Sequence, residues 1–558
     1  MNAIRLKTEY LKNPIGMDIV KPRLFWNCAE GMRQTAYRIV CRDEHENVLW
    51  DSGRVESSSM QAVYAGVPLA SRTRVVWQVR LWDENSTAGD WSECAVFEIG
   101  LLTAADWQAQ WITGDYTPDP KRRYPADCFQ KHFTTGEVKK ARLYATACGI
   151  YQAAVNGQTV DGFVLAPGVT DYRKRVQYQT YDVTALLLQG DNTLTFQLAD
   201  GWYRGSVGAN GLCNQYGTET KLLAQLELTM ADGTVQTICT DGSWQWSDDG
   251  PVRFADNKDG ERVDARLVPT YCGHAKGTTH QVQPTASDNE PLKEHERFSA
   301  KVLYTPSGRT VLDFGQNIAG ILQFTVQAKA GQRIRLRFGE MLDADGEFTQ
   351  RNIQLAKGHT ATPLQQVDYV CREGRNDYKT AFAIFGFQYV LVESELPVNP
   401  ANFTAIAVYT DLERTGWFSS SNELLNKFFD STVWSAKNNH ADLPTDCPTR
   451  ERHGWTGDAQ IFCPTACWLF DYAAFARKYE RDLCDAQRKN GCFTQIVPVG
   501  GVDSYMNVMN GSAGWSDAGV LIPWDIYAAY GDRRILEENY AAMCRYTRFK
   551  IGTLGKWY

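Results

Sequence analysis

The sequence predicts a multidomain protein in which β-sandwich units precede a shorter, all-helical region. Three observations carry this. The chain has 558 residues, and one hydrophobic core rarely grows past roughly 250–300 residues, so several units are required. Up to about residue 410 the apolar residues alternate with polar ones, as in half-buried strands. Beyond that point they recur at helical spacing, and the β pattern stops.

The first unit, residues 1–101, reads as a fibronectin-like sandwich. Thr35–Cys41, Val75–Trp82 and Ala95–Ile99 alternate and are separated by turn residues. Thr103–Trp107 reads as a connecting turn. The second unit, 102–297, carries the strands Ala141–Ala147, Thr193–Ala199 and Leu222–Thr229. Asn156-Gly157, Asp232-Gly233 and Asp241-Gly242 are its turn signals. The polar, weakly patterned stretch 276–297 marks its end. A third unit, 298–410, contains Gly320–Val326, Arg333–Phe338 and Gln388–Glu393. Jelly-roll sandwiches suit both of the later units. A helix is expected over Ser421–Ala436, capped by Ser421 or Asn422. Others are expected over about 458–470, 472–489, 517–531 and 533–550, which gives about five in the unit 411–558.

Composition excludes several classes. The net charge of -7 and dispersed Lys and Arg give no electrostatic case for nucleic acid or an anionic membrane. The N-terminal residues have no apolar signal core, and no apolar run is long enough to cross a bilayer. Fifteen cysteines, an odd number spread along the chain, are then expected as reduced thiols in a cytoplasmic protein. Cys463 and Cys467 can share a helical face. Without a second ligand pair at metal spacing they read as packed thiols, and no metal is expected there. Seventeen Trp and 26 Tyr suit the C–H faces of sugar rings, although sandwich cores consume these residues too.

Chemistry concentrates in one segment, Asp442-Leu-Pro-Thr-Asp446-Cys-Pro-Thr-Arg450-Glu451-Arg452-His453-Gly-Trp455-Thr-Gly-Asp458. Two prolines and two glycines prevent a simple helix. Glycosidic cleavage needs one carboxylic acid to protonate the leaving oxygen and one carboxylate to activate water or attack carbon. Asp446, Glu451 and Asp458 can raise one another's pKa by mutual repulsion, while Arg450 and Arg452 hold the remaining charge. Trp455 can wall a sugar ring and suits a methyl-bearing deoxy sugar. A surface loop pinned by Arg–carboxylate pairs, with Asp458 capping the next helix, would contain the same residues. Spacing does not choose between the two.

The string Asp-Cys-Pro-x-Arg-Glu-x-x-Gly-Trp-x-Gly-Asp resembles the signature of the bacterial α-L-rhamnosidases, glycoside hydrolase family 78. Further matches follow in the family's order: Gly201-Trp-Tyr-Arg-Gly205, Gly260-Glu-Arg-Val-Asp-Ala-Arg266, Asp313-Phe-Gly-Gln-Asn317, Ala513-Gly-Trp-Ser-Asp-Ala518, Ile522-Pro-Trp524 and Tyr530-Gly-Asp532. The resemblance implies a concanavalin-like sandwich over 298–410 and part of an (α/α)6 barrel over 411–558. It implies an inverting, exo-acting hydrolase releasing terminal α-L-rhamnose from rhamnosides or rhamnose-containing glycans. Glu451 is similar to the family's general acid. Asp446 and Asp458 are placed with it in the catalytic site, and Arg450, Trp455, Trp515 and Asp517 line the sugar pocket. The loop is one residue tighter than in some members, and Glu451 is its only Glu.

One departure stands out. Six helical hairpins need twelve helices, and the sequence supplies about five. The family's general base is a Glu much further along, so the chain is expected to be a truncated member lacking that base. The exposed edges of an unfinished barrel would invite association into a homo-oligomer. The alternative reading is therefore a rhamnose- or glycan-binding protein without turnover, and a phosphorylase or lyase on a similar barrel is a third. The expected partner is a small glycoside or oligosaccharide. No cofactor is expected; some relatives carry Ca²⁺ in a β domain, but no acidic loop here is specific enough to assign one.

Overall fold

The computed structural model describes residues 1–357, 360–500 and 509–553. The first unit is a sandwich of two antiparallel sheets. One pairs Asn2–Thr8, Arg23–Ala29 and Gln61–Val63, and the other is built around Ala36–Arg42 and Arg74–Trp82. Arg74–Trp82 buries alternate residues, as its sequence requires, and Val75, Trp77, Val79 and Leu81 form the centre of the core. Ala104–Asp106 is a single 3-10 turn leading into the next unit.

The second unit is a larger sandwich. Val138–Cys148 and Lys221–Met230 centre one sheet, and Asp127–Thr135 and Gly190–Ala199 centre the other. Phe129, Leu143, Phe196 and Trp244 fill the space between. Asn156 and Gly157 both have positive φ, so the tight hairpin there follows directly from the sequence.

The third sheet has ten strands; two lie wholly within residues that the sequence assigned to the second unit, and Leu292–Ser299 straddles that boundary. Val252–Asp256 and Gly260–Asp264 form a hairpin, and the latter strand pairs in parallel with Gln366–Val370. Alternation identifies a strand but not its partner. Thr310–Ala328 runs far beyond the expected Gly320–Val326. Its register with Phe385–Ser394 breaks between Asp313 and Ile318, where Gly315 has φ +75°.

The helical region contains α2 (Glu423–Asn439), α3 (Thr456–Leu469), α4 (Ala473–Ala486), α5 (Ala518–Tyr530) and α6 (Arg533–Thr553); α1 is the short turn Gly201–Arg204 in the second unit. Asn422, not Ser421, caps α2, accepting from the N–H groups of Leu424 and Leu425. Ile461 and Trp468 on α3, and Leu521 and Trp524 on α5, are exposed apolar side chains.

Almost every residue of α4 is buried, including four charged ones. Each paired charge reaches a different neighbour. Arg477 binds Glu9 of the first unit, Arg481 binds Asp288 of the second, and Asp482 binds Arg175. Lys478 donates to Val169 O and Asp442 O and pairs with Asp442 and Asp482. Burial opposes its charge, but Asp442 and Asp482 outweigh it and hold its pKa above the usual lysine value.

The contact with the first unit is a closed network. Glu9 accepts from Arg23 at 2.7 Å and Arg534 at 2.9 Å as well as from Arg477. Asp532 accepts from Arg23 at 2.6 Å and from the Tyr10 hydroxyl at 2.7 Å. Burial would raise the Glu9 pKa, but Arg477 and Arg23 overcome it and hold the carboxyl at about 2. A lowered folded pKa adds stability above the unfolded value of 4.5, and that stability is lost as pH falls towards 2. Removing one member of such a buried set costs about 3–5 kcal/mol. Glu9→Gln is therefore expected to separate unfolding of the first unit from the rest at pH 7 in calorimetry, and wild type should show the same separation between pH 4.5 and 2.

Glu480 is the exception on α4. It is buried, and neither carboxylate oxygen has a hydrogen-bond partner among the described residues. Burial alone pushes its pKa well above 4.5. Here the folded state holds the proton more tightly, so this group costs stability progressively as pH rises above 4.5. Glu480→Gln should melt higher than wild type at pH 8 and at the same temperature at pH 4, read by thermal unfolding.

Candidate active site

The segment between α2 and α3 is a closed loop. Asp446 N–H donates to His453 O, and His453 N–H donates to Asp446 Oδ1, both at 3.1 Å. Inside this closure the Glu451 N–H donates to Cys447 Sγ at 3.2 Å. Pro448 and Thr449 lie on Gly386 of the third sheet, where a Cβ would stand 2.3 Å from the threonine methyl. Gly454 is required for a similar reason: a Cβ there would approach Val497 O to 2.0 Å. Val497 N–H and the Tyr479 hydroxyl both donate to Gly454 O, which fixes the end of the loop to α4.

The predicted site residues are brought together unequally. Glu451 Oε2 accepts from the Trp455 indole N–H at 2.8 Å, and the Arg450 guanidinium stands 3.7 Å from Oε1. Asp446 is pushed up to about 6 by burial, with the Glu451 charge adding to the effect and a Cys447 hydrogen bond opposing it. Asp458 is raised by burial and then by Glu451, against its own backbone N–H. The Glu451 charge thus acts on both neighbouring aspartates. Trp515 lies against Gly457, where a Cβ would come within 2.8 Å of its indole, beside the start of α3. Asp517 is turned to its own turn, accepting from Gly514 N–H at 2.9 Å and the Tyr546 hydroxyl at 2.6 Å.

Two expectations are corrected. Arg452 does not hold charge beside Glu451. Its backbone is left-handed with φ +52°, and its guanidinium is buried against Asn257 O and Gln365 Oε1, both at 2.9 Å. Burial lowers its pKa to about 10. Asp458 is not the cap of α3, because Trp455 occupies the cap position and Asp458 lies in the first turn. That leaves Asp458 largely exposed near the helix N-terminus, so the desolvation that raises it is partial and the partial positive charge there opposes it.

Sequence reasoning missed the support from the β units. Asn257, Lys258 and Gln365 contact this loop from strands and turns about 90 to 200 residues away in sequence. The available signal was the turn Asp256-Asn-Lys-Asp-Gly260, whose polar residues are buried except for Asp259, itself mostly so. No helix among the described residues is long and apolar enough to cross a membrane. None of their His, Cys, Asp and Glu side chains cluster in threes as metal ligands do.

Three β-sheet units and a helical region, with a carboxylate cluster beside a tryptophan at the start of that region, make a modular protein in which β-sandwiches precede a helical domain. Comparison with known families makes this specific. The immunoglobulin domain of Rha78A-like proteins matches residues 3–103, and the α-L-rhamnosidase N-terminal domain matches 136–302. The bacterial α-L-rhamnosidase concanavalin-like domain matches 303–409, and the six-hairpin glycosidase domain matches 413–557. An α-L-rhamnosidase of Formosa agariphila is 34% identical over 96% of this chain and 60% of its own length. One from Streptomyces avermitilis is 30% identical over 98% of this chain and 71% of its own. The crystal structure of Streptomyces avermitilis α-L-rhamnosidase complexed with L-rhamnose superposes with a TM-score of 0.90 at 29% identity, covering 98% of this chain and 70% of that one. Native rhamnosidase from Aspergillus terreus gives 0.91 at 31%, covering 98% and 64%. The chain belongs to the bacterial α-L-rhamnosidase family, glycoside hydrolase family 78. It spans about 60% of the length of the curated Formosa agariphila and Alteromonas relatives it matches.

The electrostatic coupling is testable at once. Because Glu451 raises Asp446 and Asp458, Glu451→Gln is expected to move both titrations to lower pH. Carboxylate NMR of protein labelled at aspartate reads the shift, and an unchanged Asp446 titration would show that the carboxyls are independent.

Proposed function

We propose that the chain carries the acid side of an inverting, exo-acting α-L-rhamnosidase, which releases terminal α-L-rhamnose from rhamnosides or rhamnose-containing glycans. The observation that supports this most is the Glu451 carboxyl, held by the Trp455 indole and grouped electrostatically with Asp446 and Asp458. Membership of the family and the rhamnose complex of the Streptomyces avermitilis relative support the choice of sugar.

Glu451 acts as general acid to the glycosidic oxygen. Trp455 hydrogen-bonds one carboxyl oxygen, which leaves the other to present the proton. The neighbouring Asp446, raised to about 6, keeps a second proton nearby in weakly acidic solution. Protonated, it donates to a ring hydroxyl. Asp458, in the first turn of α3, accepts from ring hydroxyls. Arg450, Trp455 and Trp515 bind the ring, and Asp517 orients the segment carrying Trp515 through Gly514 and Tyr546. Inversion requires a second carboxylate about 6.5–9.5 Å from the acid, with water between. The fifteen free thiols support a cytoplasmic setting.

Turnover of 4-nitrophenyl α-L-rhamnoside tests the reading. Glu451→Gln is expected to lower kcat by about 10²–10⁴-fold, the usual worth of a positioned acid, while L-rhamnose affinity measured by calorimetry stays within a few-fold. Retained turnover in that variant, or binding with no hydrolysis in wild type, would overturn it.

A further inference from the structure

The two residues on either side of Glu451 are held by the same remote turn. Lys258 is 3% exposed, and its ammonium donates to Gly208 O and, at 2.7 Å, to Arg450 O. Asn257 O accepts from the guanidinium of Arg452 at 2.9 Å. Residue 450 is therefore fixed through its carbonyl and residue 452 through its side chain, and Glu451 lies between them. The turn itself is rigid. Asp256 Oδ1 accepts from the N–H groups of Lys258 and Asp259, and its other oxygen takes Arg123 and Ser206 N–H. Strands on both sides tie the turn into the third sheet.

We propose that the turn Asp256–Gly260 is a positioning element for the general acid, with Lys258 as the residue that fixes the backbone carrying Glu451. This rests on the reading of Glu451 as the acid. Lys258 is a buried cation with no carboxylate ion pair among the described residues, although Asp256, Asp259, Cys447, Arg452 and His453 surround it. Burying a charge against carbonyl oxygens alone is a poor way to stabilise a fold, and an apolar side chain of similar length commonly does as well. What an apolar residue cannot do is hold two carbonyls from separate loops at a fixed distance. The left-handed Arg452 has the same character, because the bonds of its guanidinium to Asn257 O and Gln365 Oε1 help to hold an unfavourable backbone. Both features place residues 450–452 at the expense of local energy. With its neighbours fixed, Glu451 keeps only side-chain freedom, and Trp455 removes part of that.

The test compares wild type, Lys258→Met and Lys258→Arg by hydrogen–deuterium exchange of the full chain, together with kinetics and L-rhamnose calorimetry. Lys258→Met is expected to speed exchange of amides 446–455 by at least about tenfold while α4 is unchanged, and Lys258→Arg, which keeps a donor, should stay within about twofold of wild type. In the same variants kcat should fall by about 100-fold for Met, with KM within about threefold, and recover substantially for Arg. Unchanged exchange in Lys258→Met, or equal effects of the two variants, would overturn the proposal. If Lys258→Met does not fold, Lys258→Leu, which also lacks a donor, gives the same reading. Absence of turnover in wild type would count against the reading of Glu451 alone, since the exchange comparison decides the role of Lys258 without it.

Discussion

Helix α4 is the constraint on which the arrangement depends. Four of its charges, all buried but the partly exposed Arg481, are spaced so that successive turns point to different partners: Arg477 to Glu9, Lys478 to Asp442, Arg481 to Asp288 and Asp482 to Arg175. A buried charge tolerates little displacement from its partner, because the desolvation cost is already incurred and only a close opposite charge offsets it. The helix therefore sets the distances between β units that share no sheet. Tyr479 of the same helix binds Gly454 O, so the loop bearing Glu451 is placed by this hub as well.

The site is thus assembled from three directions. From α4 comes the end of the loop at Gly454, from the third sheet comes the platform at Gly386 and Gln365, and from the hairpin at 256–260 come Asn257 and Lys258. The catalytic candidates themselves are a short contiguous string, but the groups that orient them are not. This separation explains how a loop dense in Pro and Gly can hold a carboxyl in a defined place. The apolar outer residues of α3 and α5, Ile461, Trp468, Leu521 and Trp524, are a different feature of the same region. Helices apolar on two faces are built to be covered on both.

Much of the fold was legible in the sequence because it depends on local periodicity. The strand Arg74–Trp82, the hairpin at Asn156-Gly157 and helices α2 to α6 all follow from spacing and turn chemistry. The candidate acid was legible too, since Asp446, Glu451, Trp455 and Asp458 fall within one family string. The partners of Arg452 were not. Nearest in sequence are the carboxyls of Glu451, Asp446 and Asp458, yet the guanidinium turns to Asn257 and Gln365, and the backbone at 452 is left-handed.

By itself the sequence determined the order of the units, the turn from strands to helices and the residue types of the loop that resembles the family signature. Those are set by interactions within a few residues, which a linear pattern records. Only the tertiary structure decided that strands 252–264 belong to the third sheet, that Asp446 is raised by burial, and that Lys258 grips the backbone beside Glu451. Each depends on groups distant in sequence meeting in a low-dielectric interior, where proximity and desolvation rather than spacing set the energies.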